Sequence, residues 1–280
     1  MRLIAAFALI SFTGLAPAAV VVDGALGGGE GYVTAINASP GVDTNVDNHS
    51  GGVHAKVERI LTADDPGTLH VFIEGDLRNT NGLFVLVDSD NSAGTGFSGA
   101  HPDGTTIHSG ALEYFTALPA GGYDLTLVIR GGSSGTPSNF EEIHALTYSA
   151  AGTLLEEIEI SNGTGSLTAT LPATVRGIAA SLEIGEITGD APDNGIELGI
   201  PKAWLLYQGQ AGGSLQVVAM NSNGTFDTWF NSTIPENALP SGTSIGPISN
   251  PANNGVMAGL TAPDFAWQSV PAEIAVFAAD

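Results

Sequence analysis

The chain has no cysteine, few cations and almost no helical periodicity. Without cysteine no disulfide can staple it, so its 280 residues depend on core packing, bound ions or assembly for stability. Lysine and arginine number 7 against 29 acidic residues, a formal net charge of -22. Such a chain repels nucleic-acid phosphates and anionic bilayers, and it favours cations or neutral ligands. Only 13% of residues are charged, so the imbalance reflects missing lysine more than surplus carboxylate, which weakens adaptation to salt as its origin. Long apolar runs are missing as well, except at the start.

That exception reads as an export signal. Met1 and Arg2 give a positive start, Leu3 to Leu15 is apolar, and Ala16-Pro17-Ala18 is a small-x-small cleavage site. Cutting is expected after Ala18 or Ala19. A membrane anchor is the competing reading, but a spanning helix needs about 20 apolar residues. Residues 1–19 are therefore expected to be a signal peptide. Residues 20–280 are expected to form one secreted domain, extracellular or periplasmic, that does not insert into a membrane.

What is present is a series of short apolar or alternating runs. They lie at Val53–Leu61, Leu69–Glu74, Leu83–Val87, Tyr123–Arg130, Leu155–Ile160, Ser166–Leu171, Ile178–Ile184, Ile196–Ile200, Leu215–Met220 and Ala272–Ala278. Gly, Pro, Asn and Asp clusters separate them, the pattern of an all-β sandwich or barrel. Leu83–Val87 is apolar throughout, which suits a central strand covered on both faces. Glu156-Glu157-Ile158-Glu159 suits an edge or solvent-facing strand. Pro201 to Leu206 suits a single helical turn with proline at its start.

Several segments, in order, resemble secreted bacterial DOMON-like and family-nine carbohydrate-binding-module-like domains. They are Val22-Asp23-Gly24-Ala25-Leu26 with Gly31-Tyr32, Leu69 to Leu77, Leu83 to Asp90, and Asn194-Gly195-Ile196-Glu197-Leu198-Gly199-Ile200-Pro201. The resemblance implies a jelly-roll-like sandwich of two antiparallel sheets with long loops and little helix. Relatives include sugar-binding modules and haem- or sugar-binding domains, so fold alone does not choose the ligand. A haem site would need an axial Met and His pair, and no motif links Met220 or Met257 to a histidine.

Two loops have oxygen ligands at alternating positions, as calcium requires. The first carries Asp88, Asp90 and Asn91, with Asp103 as a further ligand if the loop folds back. The second carries Asp43, Asn45 and Asp47. Neither supplies the bidentate Glu of an EF-hand, and an Asx-rich turn explains the same residues. Sugars stack on exposed aromatics. Trp229, with Phe230 and Tyr207, lies in a polar stretch and is the candidate platform, whereas Trp204 abuts Leu205 and Leu206 and is expected in the core. The six histidines, among them His70, His108 and His144, show no metal-ligand spacing. His70 is expected to face solvent. Gly94 to Gly99 spells G-x-G-x-x-G but is followed by His101-Pro102-Asp103-Gly104, which opens no helix. No nucleophile elbow or carboxylate pair is evident.

These features lead to the expectation of a non-catalytic secreted sandwich that binds a glycan or extracellular polymer, stabilised by calcium. A structural subunit of a matrix, surface layer or filament, able to self-assemble, is the alternative. A haem or redox domain is the third. A concave face with exposed aromatics would favour sugar, and a strand free to pair with another chain would favour assembly.

Overall fold

The computed structural model describes residues 19–34, 55–77, 80–90, 95–98, 106–113, 122–132, 140–187, 192–207, 213–234, 246–247 and 264–268. In chain order the first strands are β1 (Val33–Thr34), β2 (Ala55–Asp64), β3 (Thr68–Leu77) and β4 (Gly82–Asp88). A short helix, α1 (Ile107–Glu113), follows. Then come β5 (Leu125–Gly131), β6 (Phe140–Tyr148), β7 (Leu154–Ser161), β8 (Thr168–Val175), β9 (Ile178–Glu186) and β10 (Gly195–Pro201). A 3-10 turn at Lys202–Trp204 leads to β11 (Ser214–Ser222), β12 (Thr228–Ile234), β13 (Gly246–Pro247) and β14 (Asp264–Ala266).

The strands form two antiparallel sheets that do not close into a barrel. Sheet one runs β1-β2-β3-β10-β9-β8, and sheet two runs β13-β12-β11-β4-β5-β6-β7, with β14 added to β11. The chain crosses between sheets from β3 to β4, from β7 to β8 and from β10 to β11. β3 pairs with β10 and β4 with β11, so the first and last crossings lie side by side as one folded ribbon. That is the all-β, two-sheet sandwich expected from the sequence.

The main core lies between the sheets. Val71, Ile73, Val85, Leu127, Leu182, Ile184, Ile196 and Leu198 fill it, all fully buried. Alternation explains their placement, because successive strand residues point to opposite faces. β4 breaks the alternation and is buried at every position. Its other face joins a second core, formed by Phe84, Leu86, Val128, Leu146, Val218, Met220 and Trp229 and covered by Phe97, Ala111, Leu112 and Phe226.

Arg176 ties these parts together. It sits at positive φ, 54°, in the turn between β8 and β9. Its guanidinium donates to the carbonyls of Trp204, Asp124 and Tyr148, each at 2.8 Å. Trp204 is fully buried, as expected, and its indole N–H donates to the Ile178 carbonyl at 3.2 Å. Lys202 and Asp64 form a buried ion pair at 2.5 Å.

Residues 19–32, ahead of β1, lie over the outer face of sheet one. Their anchor is Glu197, which is fully buried on β10. Its carboxylate accepts from the backbone N–H of Asp23 at 2.8 Å and Gly24 at 3.0 Å, and from the Tyr32 hydroxyl at 2.5 Å. Burial raises the Glu197 pKa and outweighs these donors, and the Glu30 charge adds to the rise. The Tyr32 ring also packs on Phe72, with centroids 6.0 Å apart.

Six elements were not anticipated: β1, α1, β6, β12, β13 and β14. His70 is a correction, being 5% exposed beside Asp65 rather than facing solvent. The expected strand at Ala272–Ala278 lies outside the described residues. Tyr32→Phe removes a donor from a buried carboxyl group, so it should lower the unfolding free energy by about 1–3 kcal/mol in a denaturant titration. An unchanged midpoint would mean that residues 19–32 are not anchored through Glu197.

Candidate functional site

The densest group of ligand-type side chains sits under α1, on the outer face of sheet two. Thr106 starts the helix, its hydroxyl accepting from the backbone N–H of His108 at 3.3 Å and Ser109 at 3.2 Å. Ala111 and Leu112 press the helix into the second core. That fixes His108 above the sheet, where it is 3% exposed. Beneath it, Glu142 and His144 lie two residues apart on β6 and so share a face. Glu157 joins them from β7, where it pairs with Leu146.

Glu157 Oε1 is 2.9 Å from His108 Nδ1 and 3.7 Å from His144 Nδ1. On the far side of both rings, Glu142 Oε1 is 2.8 Å from His144 Nε2 and 3.1 Å from His108 Nε2. The two imidazoles face each other with centroids 4.0 Å apart and planes 32° apart. Arg130 Nη2 holds the other oxygen of Glu142 at 2.5 Å. The Thr106 hydroxyl reaches both Glu157 oxygens, at 2.6 and 2.5 Å. His108, His144 and Glu157 each offer a ligand atom within 4.8 Å of the others.

The electrostatics favour ligand-ready forms. Burial, with the neighbouring His108, holds the His144 pKa below the usual histidine range, so its ring is neutral near pH 7. Burial pushes Glu157 up, but hydrogen bonds from His108, Thr106 and Ser109 bring it below the usual carboxylate range. An ionised carboxylate beside a neutral imidazole is the pair a transition metal binds. Sequence reasoning missed this group because its members are far apart in the chain and two of their three elements, α1 and β6, were not foreseen.

The expected calcium loop is a second acidic centre. Asp88 is fully buried at the end of β4, and its Oδ1 accepts from the Asp90 backbone N–H at 3.1 Å, an Asx turn. Asp90 accepts from the Thr95 hydroxyl at 2.9 Å. Next to them, buried Asp124 accepts from the backbone N–H and hydroxyl of Ser89 and from the Leu206 N–H at 3.2 Å. Burial raises the Asp88 pKa, and the Asp90 and Asp124 charges add to it. Burial likewise pushes Asp124 up, to about 6, against the pull of its hydrogen bonds. Asn91, Asp103, Asp43, Asn45 and Asp47 lie outside the described residues.

The aromatic platform is where expectation and structure part. Trp229 is 1% exposed, with its ring edge-on to Phe84 at 5.0 Å. It belongs to the second core and offers no face for a sugar. Tyr207 is half-buried, and its backbone N–H donates to the Ser89 hydroxyl at 3.1 Å. The Phe230 side chain lies outside the described residues. Among the described residues no aromatic side chain is exposed. Met220 is buried in the second core, and Met257 lies outside the described residues.

Comparisons with known proteins place the chain in no group: no family model, curated protein or solved structure matches it.

Two outcomes follow from this geometry. Trp229→Ala should cost about 3–5 kcal/mol of stability, as for other buried tryptophans, measured by denaturant unfolding. A loss below about 1 kcal/mol would put Trp229 outside the core. Asp124 binds its proton more tightly folded than unfolded, so its contribution to stability is largest near pH 4 and declines as pH rises toward about 6. Melting followed across that window should show this fall, and Asp124→Asn should flatten it. An equal slope in the variant would assign the effect to other groups.

Proposed function

We propose that this chain is an exported, non-catalytic β-sandwich that acts as a structural subunit and pairs with further copies of itself along one side. The observation that carries this is the position of β7 and β8. They are consecutive strands of eight residues each, and each ends its own sheet. A strand at a sheet edge offers backbone groups to a second chain. Leu155, 57% exposed on β7, and Ile178, 39% exposed at the start of β9, lie beside these edges. The outward residues Thr168, Thr170 and Thr174 on β8 are β-branched and suit a packed strand face.

A second copy is the favoured occupant because backbone pairing needs no special partner. Pro172 and Glu159 within the two edges restrict the register in which pairing is possible. Copies that each carry a net charge of -22 repel one another, so assembly requires cations. Calcium at Asp88 and Asp90 is the expected local contribution, and the crowding of Asp88 against Asp90 and Asp124 supports it. The resemblance to DOMON-like and carbohydrate-binding domains agrees with export and with the two-sheet fold. The glycan reading keeps that support but lacks an exposed aromatic platform among the described residues.

Size-exclusion chromatography with light scattering, followed by electron microscopy, tests the proposal. Oligomers or filaments should grow with protein concentration in calcium and recede with chelator. Leu155→Asp with Ile178→Asp should remain monomeric while melting close to the wild type. A wild type that stays monomeric at millimolar concentration in calcium overturns the proposal. Binding on a glycan array by that monomer would restore the sugar reading.

A further inference from the structure

We infer that His108, His144 and Glu157 form a binding site for one first-row divalent transition-metal ion, held between α1 and the outer face of sheet two. The site is independent of the assembly proposal and of the calcium loops. Nothing in the linear sequence marks it.

Donor chemistry sets the class of ion. Two imidazoles and a carboxylate suit zinc or its first-row neighbours, whereas calcium takes hard oxygen ligands. Spacing agrees. Tetrahedral bonds of about 2.0–2.1 Å put neighbouring donor atoms roughly 3.3 Å apart. Glu157 Oε1 stands 2.9 Å from His108 Nδ1 and 3.7 Å from His144 Nδ1, on either side of that value.

The surroundings agree too. A metal-bound histidine usually gives its other ring N–H to a carboxylate. Glu142 stands on the Nε2 side of both rings, and Arg130 fixes it there. Thr106 orients Glu157 from the other direction. His108 Nε2, on the ring edge away from Glu157, is buried and makes no hydrogen bond, although the Glu142 oxygen is 3.1 Å away. A buried ring nitrogen left this way is costly. A metal must lie in the plane of each imidazole it binds, so the 32° between the rings has to widen on binding. That rotation moves the Nε2 atoms relative to Glu142.

The test uses the purified mature chain, stripped with chelator, and zinc chloride as the probe. Zinc should bind at one equivalent per chain by calorimetry and by metal analysis after dialysis, and should raise the melting temperature. Calcium should not compete. Cobalt(II) in place of zinc should give the strong visible absorption of a four-coordinate site with nitrogen and oxygen ligands. Histidine ring signals in NMR should shift for two of the six histidines. His144→Gln and Glu157→Gln should each weaken zinc binding by about 100-fold or more, while Asp88→Asn with Asp90→Asn leaves it unchanged. Circular dichroism separates lost binding from lost fold. If a variant fails to fold, the cobalt spectrum and the histidine shifts of the wild type decide. A wild type that retains well under one equivalent, shows an octahedral aqua-type cobalt spectrum, or binds zinc equally in folded His144→Gln overturns the inference.

Discussion

Strand β4 offers water neither of its faces, and much of the molecule follows from that. All seven of its residues are buried. One face belongs to the core between the sheets. The other requires a second cover, which a two-sheet sandwich does not provide by itself. The chain builds that cover from short pieces: α1, the segment around Phe97, and the turn at Phe226. Their fit is tight. Gly96 has φ of 77°, and a Cβ there would stand 2.3 Å from the Gly122 carbonyl oxygen, so only glycine permits the Phe97–Tyr123 bridge. A cover of short pieces has many polar ends. Where it meets the sheet, polar side chains become buried: Asp88, Ser89 and Asp124 on one side, His108 and His144 on the other, with Glu157 half-buried beside them. Both candidate sites are thus consequences of covering the second face.

The legible parts of the sequence were those where burial follows strand period. β3, β4, β9, β10 and β11 sit where apolar or alternating runs predicted them, and Glu156 to Glu159 falls on an edge strand as expected. β6 was missed because Glu142 and His144 look like solvent-facing residues, and they would be so without α1 above them. α1 itself has seven residues, including Gly110, too few to show a 3.6-residue period. Trp229 was misjudged through its neighbours. Asn223, Thr225 and Asp227 form a polar turn that binds itself, with Asn223 Oδ1 accepting from the Asp227 N–H at 3.0 Å and the Asn223 amide donating to Asp227 at 2.6 Å. That polarity closes the turn before β12. It says nothing about the next residues, which enter a core.

Among the described residues, four basic side chains are tied to acceptors. Arg59 pairs with Glu74 and Asp193, Arg130 with Glu142, and Lys202 with Asp64, while Arg176 serves three carbonyls. These contacts have structural value where they are buried, because a cation replaced there leaves an acceptor or a carboxylate without its partner. With 29 acidic residues against 7 basic ones, the protein's own cations cannot balance all of its carboxylates. Ions from outside must then supply the balance. At the surface, screening by ordinary salt meets that need. At a buried carboxylate it does not, because mobile ions do not reach it. There the alternatives are a proton or a coordinated metal. Burial raises the pKa of both Asp88 and Asp124, and the charges of Asp90 and Asp124 add to the rise at Asp88. At the half-buried Glu157, hydrogen bonds from His108, Thr106 and Ser109 outweigh burial and hold the pKa below the usual carboxylate range. The two clusters therefore differ in depth as well as in neighbours, since Asp88 and Asp124 are fully buried and Glu157 is half-buried.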